Sequence, residues 1–98
     1  MKRDRTDYLL TQLASECAEI VHRVTKAQHF GLHEKQPGQD KDNIERIAEE
    51  VNDLFGVLAM LTLDEGILPP PDPEAVLAKK ARVEHYMKYA RQCGTLEG

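Results

Sequence analysis

The chain has 98 residues, with 17 Asp and Glu against 13 Lys and Arg, a formal net charge of −4. That length allows one domain, 1–98, with a small core, and the acidic balance argues against nucleic acid as a partner, because phosphate backbones select basic faces. Three Tyr, two Phe and no Trp leave little surface for stacking bases.

Residues 1–5 are charged and read as frayed chain, and the start MKRDRTDYLLTQ is polar with no long apolar run, so it does not read as a signal peptide. No stretch approaches the roughly 18 continuous apolar residues of a membrane span. A soluble protein with no membrane partner is therefore expected. The first helix is expected over about 6–27, capped by Asp4 or Thr6. Its apolar arc is Leu9, Leu10, Leu13, Cys17, Ile20, Val21 and Val24, recurring at helical spacing. Cys17 lies on that arc and reads as a small core residue. With Cys93 far away and no CxxC, no disulfide is implied, and a reducing cytoplasm is the default.

From His29 to Lys41 the periodicity stops, and Gly31, Pro37 and Gly38 mark a polar loop. Its length is above the usual for a helix–helix connection, which points to a functional or mobile segment. His29 and His33 lack tight metal-ligand spacing and read as solvated. A second helix over about 42–64 opens with Asp42 and Glu45 in capping-box positions. Its arc is Ile44, Ile47, Ala48, Val51, Leu54, Phe55, Leu58 and Leu61, widened by Val57 and Met60. Val57 and Met60 are apolar on the side of the acidic pair, so the arc exceeds one packing contact and Glu50 and Asp53 are expected to be enclosed by a further element or a second subunit. Pro69-Pro70-Pro71-Asp72-Pro73 is a stiff spacer. Asp72 then caps, and Pro73 opens, a third helix over about 73–92 with the stripe Val76, Val83, Tyr86, Met87 and Ala90. Lys79 lies within that stripe and Lys80 at its edge.

The fold class is therefore all-α: a helical hairpin plus a C-terminal helix. Three short helices make a marginal core, so association into a homo-oligomer is expected to complete a four-helix-type bundle.

Four carboxylates stand out against this frame. Glu16 and Glu19 on the first helix, and Glu50 and Asp53 on the second, each have spacing i, i+3, which puts both members on one face. A shift of 34 residues lays the first apolar stripe and its acidic pair onto the second. In an antiparallel hairpin the four acids converge, and a divalent cation is the usual relief of their repulsion. Three readings compete. The acids can be solvated surface. They can be a di-iron site, since Glu19-Ile20-Val21-His22 reads Glu-x-x-His, but the second helix has Gly56 where the matching His belongs. Or they can be an oxygen-only site for magnesium, with manganese as an alternative, which implies a polyphosphate substrate.

Glu16-x-x-Glu19, a spacer and Glu50-x-x-Asp53 resemble the ExxE…ExxD signature of the MazG-like all-α nucleoside triphosphate pyrophosphohydrolases. Lys26-Ala27-Gln28-His29-Phe30-Gly31 is similar to the Lys-x-x-Arg-Phe-Gly ending of their first helix, with His29 in the Arg place. IAEEVNDLFGVLAML resembles their second helix and AKKARVEHYMKYA their last, so the resemblance spans roughly 9–90. It implies an oligomer of helical bundles, dimers or dimers of dimers, that binds Mg2+ through Glu16, Glu19, Glu50 and Asp53. It implies hydrolysis of a nucleoside triphosphate to the monophosphate and pyrophosphate. Glu16 or the neighbouring Glu49 would accept the proton of the attacking water, and Lys26 with Lys79 or Lys80 would contact phosphates. The rival expectation is a non-enzymatic oligomeric interaction module with the same fold.

Overall fold

A computed structural model describes residues 4–98, and among the described residues the chain is helical with no strand. Helix α1 is Arg5–Phe30 and α2 is Asn43–Ala59. A π-helical turn, Met60–Asp64, extends α2, and α3 is Pro73–Gln92. The charged residues 1–3 lie outside the described residues.

Each helix begins on an aspartate that satisfies first-turn amides left without helical partners. Asp4, not Thr6, caps α1, its Oδ1 accepting from the Asp7 N–H at 2.8 Å. At α2 the box is reciprocal: Asp42 Oδ1 accepts from the Glu45 amide at 2.9 Å, and Glu45 Oε1 accepts from the Asp42 amide at 3.2 Å. Asp72 accepts from the amides of Glu74 and Ala75 at 3.0 and 3.3 Å, with Pro73 just inside the helix. The end of α1 lies at Phe30, three residues beyond the expected 27. Nothing in Gln28-His29-Phe30 breaks a helix, although the apolar arc has run out. The stop is Gly31, whose φ of 101° is open to glycine and strained for other residues.

Hydrogen bonds tie the loop after α1 to the start of α2. Asn43, 2% exposed, donates its side-chain N–H groups to the Gly31 carbonyl at 2.8 Å and to Glu34 Oε1 at 3.0 Å. The amides of Asn43 and Ile44 donate back to the carbonyls of Glu34 and Leu32. His33 is engaged too, with Nδ1 3.0 Å from Asp42 Oδ2.

The two helices pack antiparallel through one seam each: Leu9 of α1 meets Val57 and Leu61 at one end, and Asn43 holds Gly31 at the other. On α1 the seam is Leu9, Leu13, Glu16, Ile20, Arg23 and Ala27. On α2 it is Asn43, Ile47, Glu50, Leu54, Val57 and Leu61. Both alternate steps of four and three, the spacing of a coiled-coil contact, and every member is buried or half-buried. Leu61 is fully buried, with Leu13 and Met60 packed around its cluster. The π turn carries Leu61 into the core and ends where Gly66 turns the chain at φ 65°. Arg5 ties the start of α1 to this end through Glu65 and through Asp64 at 3.7 Å.

One position along from each seam runs a second apolar row: Leu10, Ala14, Cys17, Val21 and Val24 on α1, and Ile44, Ala48, Val51, Phe55 and Leu58 on α2. A step of about 100° in the same rotational sense on two antiparallel helices points both rows to one side of the hairpin. That side is bare: Leu10, Val21, Val24, Ile44 and Phe55 are all exposed. Cys17, expected in the core, is exposed for the same reason, because it belongs to the outer row and not to the seam.

Helix α3 stands apart. None of its Cα atoms comes within 8 Å of a Cα of α1, α2 or the π turn, and none of its residues is buried. The radius of gyration is 17.3 Å, against about 13 Å for a compact chain of this length.

Candidate metal centre

The acids sit on the opposite side of the hairpin from the bare apolar rows. Glu16 and Glu50 occupy seam positions, where a leucine would ordinarily pack, and each is half-buried. Asp53 lies one turn after Glu50 and is exposed. The helix crossing brings one carboxylate oxygen from each of Glu16, Glu50 and Asp53 to within 4.8 Å of one another. Two acids at a helix–helix seam cost desolvation and mutual repulsion unless something compensates. The side-chain N–H of Gln12 donates to Glu16 Oε1 at 2.8 Å, from one turn before it. Among the described residues no cation pairs with these three carboxylates.

Glu19 does not join the three within that distance and is exposed. Its helical phase, one turn past Glu16, still puts it on the acid side of the hairpin, with Asp53. Lys26, two turns further along, is half-buried with its Nζ 5.8 Å from the centre of the Phe30 ring. Glu49 borders the acids but is occupied by Lys41, with Nζ to Oε1 2.9 Å. The hydrogen bond to Glu49, and then its charge, hold the Lys41 ammonium above its ordinary pKa. Lys79 and Lys80 lie on α3, so a single chain does not bring them to the acids.

Two residues are more telling in the structure than in the sequence. Arg23 occupies the α1 seam, and its Nε is buried with no hydrogen-bond partner. Asn43 is the other; it fixes the mouth of the loop. A seam phased in fours and threes would have flagged both as polar groups at core positions, but the broad apolar arcs of the two helices conceal it.

His22 is exposed and is not among the converging ligands, so the cluster is oxygen-only as the structure stands. Three carboxylates converging from two helices form an oxygen-only group of the chemistry that hard divalent cations take. No family model, curated protein or solved structure matches this chain. Among the described residues no helix is long and apolar enough to cross a membrane.

Proposed function

We propose that the chain is a Mg2+-dependent nucleoside triphosphate pyrophosphohydrolase, releasing a nucleoside monophosphate and pyrophosphate, with Mn2+ as an alternative ion. The observation that carries this reading is the convergence of Glu16, Glu50 and Asp53 across the hairpin seam. The motif resemblance to MazG-like enzymes supports it. Glu16, Glu50 and Asp53 supply the oxygen ligands, and Glu19 completes the set from the same side by a side-chain rotation. Bound there, the ion neutralises phosphate charge and lowers the pKa of a bound water. The chain itself offers no Ser-His or Cys-His nucleophile pair, so water is the nucleophile in this reading. Glu16 and Glu49 remain the candidates to take its proton, each already steadied by one partner, Gln12 and Lys41. Arg23 and Lys26, on the same helix as Glu16, are the basic groups this reading assigns to phosphate oxygens; Lys79 and Lys80 lie on the detached α3, which a single chain does not bring to the acids.

The oligomer belongs to the same reading: helices of a second copy complete a four-helix-type bundle over the bare side. Two exposed free thiols, Cys17 and Cys93, suit a reducing cytoplasm.

The test is a panel of common NTPs and dNTPs with Mg2+ and product identification. Monophosphate with pyrophosphate is expected, and orthophosphate with diphosphate would contradict the cleavage position. The exposed apolar side favours one rival, a helical interaction module without catalysis. That rival gains if no nucleotide turns over with either ion while the chain still associates.

A further inference from the structure

The bare side of the hairpin, the detached α3 and the charge of each carry an inference that needs neither metal nor nucleotide. We infer that α3 of one copy docks on the outer apolar rows of the α1–α2 hairpin of a second copy, and that the exchange is reciprocal.

Surface area points to a partner. The chain exposes 7758 Å², whereas a compact protein of 11.1 kDa exposes about 5,700 Å². The excess, roughly 2,000 Å² per chain, is more than twice the ~800 Å² that each partner contributes to a standard interface. Val21 and Phe55 are 65% and 61% exposed on the hairpin, and Val83 and Tyr86 are 45% and 66% exposed on α3. These are two apolar surfaces of one chain that do not touch each other.

Charge selects which surfaces meet. Residues 4–65 carry 13 Asp and Glu against 6 Lys and Arg, a net −7, while α3 carries 5 Lys and Arg against 2 Glu, a net +3. Bringing two hairpins face to face opposes −7 with −7. Bringing α3 to a hairpin pairs opposite signs, which favours encounter and orientation. The α3 apolar stripe, with Lys79 within it, is flanked by Arg82 on one side and by Lys80 and Arg91 on the other, as its helical phase requires. A shallow groove of about 400 Å³ lies on this stripe, lined by Val83, Tyr86, Met87 and Leu96. The proline spacer 69–73 holds α3 away from its own hairpin, so the matching surface within reach is that of a second copy.

The test uses two full-length variants and sedimentation at tens of micromolar. One carries Val83→Asp and Tyr86→Asp, the other Val21→Asp and Phe55→Asp. The parent should sediment at twice the chain mass, and each variant alone at the chain mass. An equimolar mixture should regain dimer, because α3 of the second variant is intact and so are the rows of the first. Rising salt should weaken the parent dimer. A monomeric parent overturns the inference. So does an α3 variant that still dimerises, which would mean hairpins packing face to face, and so does a mixture that stays monomeric. Circular dichroism of each variant guards against misfolding. Should either lose helix, Val83→Ser with Tyr86→Ser and Val21→Ser with Phe55→Ser carry the same mixing test.

Discussion

Glu16 and Glu50 each hold a seam position that packing alone would give to leucine, and this cost needs a compensating function. Without a cation they repel one another and Asp53. Glu50→Gln or Asp53→Asn should therefore raise the melting temperature of the metal-free protein and remove most of the rise that millimolar Mg2+ gives the parent, by ordinary ligand linkage. Thermal melts with and without Mg2+ read both effects; an equal Mg2+ shift in parent and Glu50→Gln would place the acids outside any ion site. Asp42 behaves oppositely. The Glu45 amide, and then the His33 ring, hold its carboxyl below the ordinary carboxylate pKa. A lowered pKa in the folded state means that its stabilisation is complete above the ordinary carboxylate range and is lost as pH falls through the lower, folded value. Asp42→Ala should lower the melting temperature by a few degrees at neutral pH, and that difference should shrink in strong acid. A pH series of melts on the two proteins checks it.

The helices themselves were largely legible from pattern. Asp42 with Glu45 and Asp72 with Pro73 mark two helix starts by local chemistry that tertiary structure has no reason to override. The phase of the packing was not legible. The arcs of α1 and α2 are each wide enough for two rows, and nothing local says which row meets the other helix. The structure chooses Leu9, Leu13 and Ile20 over Leu10, Cys17 and Val21, so Cys17 is outside and Arg23 inside. The convergence of Glu16, Glu50 and Asp53 follows from the paired spacing, whereas the separate place of Glu19 depends on side-chain geometry that spacing does not encode. Leu61 is where the chosen seam is tightest. Leu61→Ala should cost about 2–5 kcal/mol, the range for a buried leucine that leaves a cavity. With so few other buried side chains, urea denaturation should show a hairpin near the limit of folding; a loss below 1 kcal/mol would mean that the seam runs elsewhere.

As a whole the chain is a two-sided hairpin with a basic helix held off it by prolines. One side bears the acids; the other is apolar and exposed. The two sides make separable demands, and substitutions on one should leave the other intact. Glu50→Gln should keep the parent's sedimentation, while the Val83→Asp, Tyr86→Asp chain should lose association whatever it does to catalysis. This separation lets the interaction module and the enzyme be told apart, since both need the apolar side and only the enzyme needs the acids. The most direct measurement is a calorimetric titration of the parent and of Glu50→Gln with Mg2+, repeated with Mn2+. Saturable binding to the parent, abolished or greatly weakened in Glu50→Gln, is the expected result. Indistinguishable titrations of the two proteins, or no binding by the parent, would contradict it.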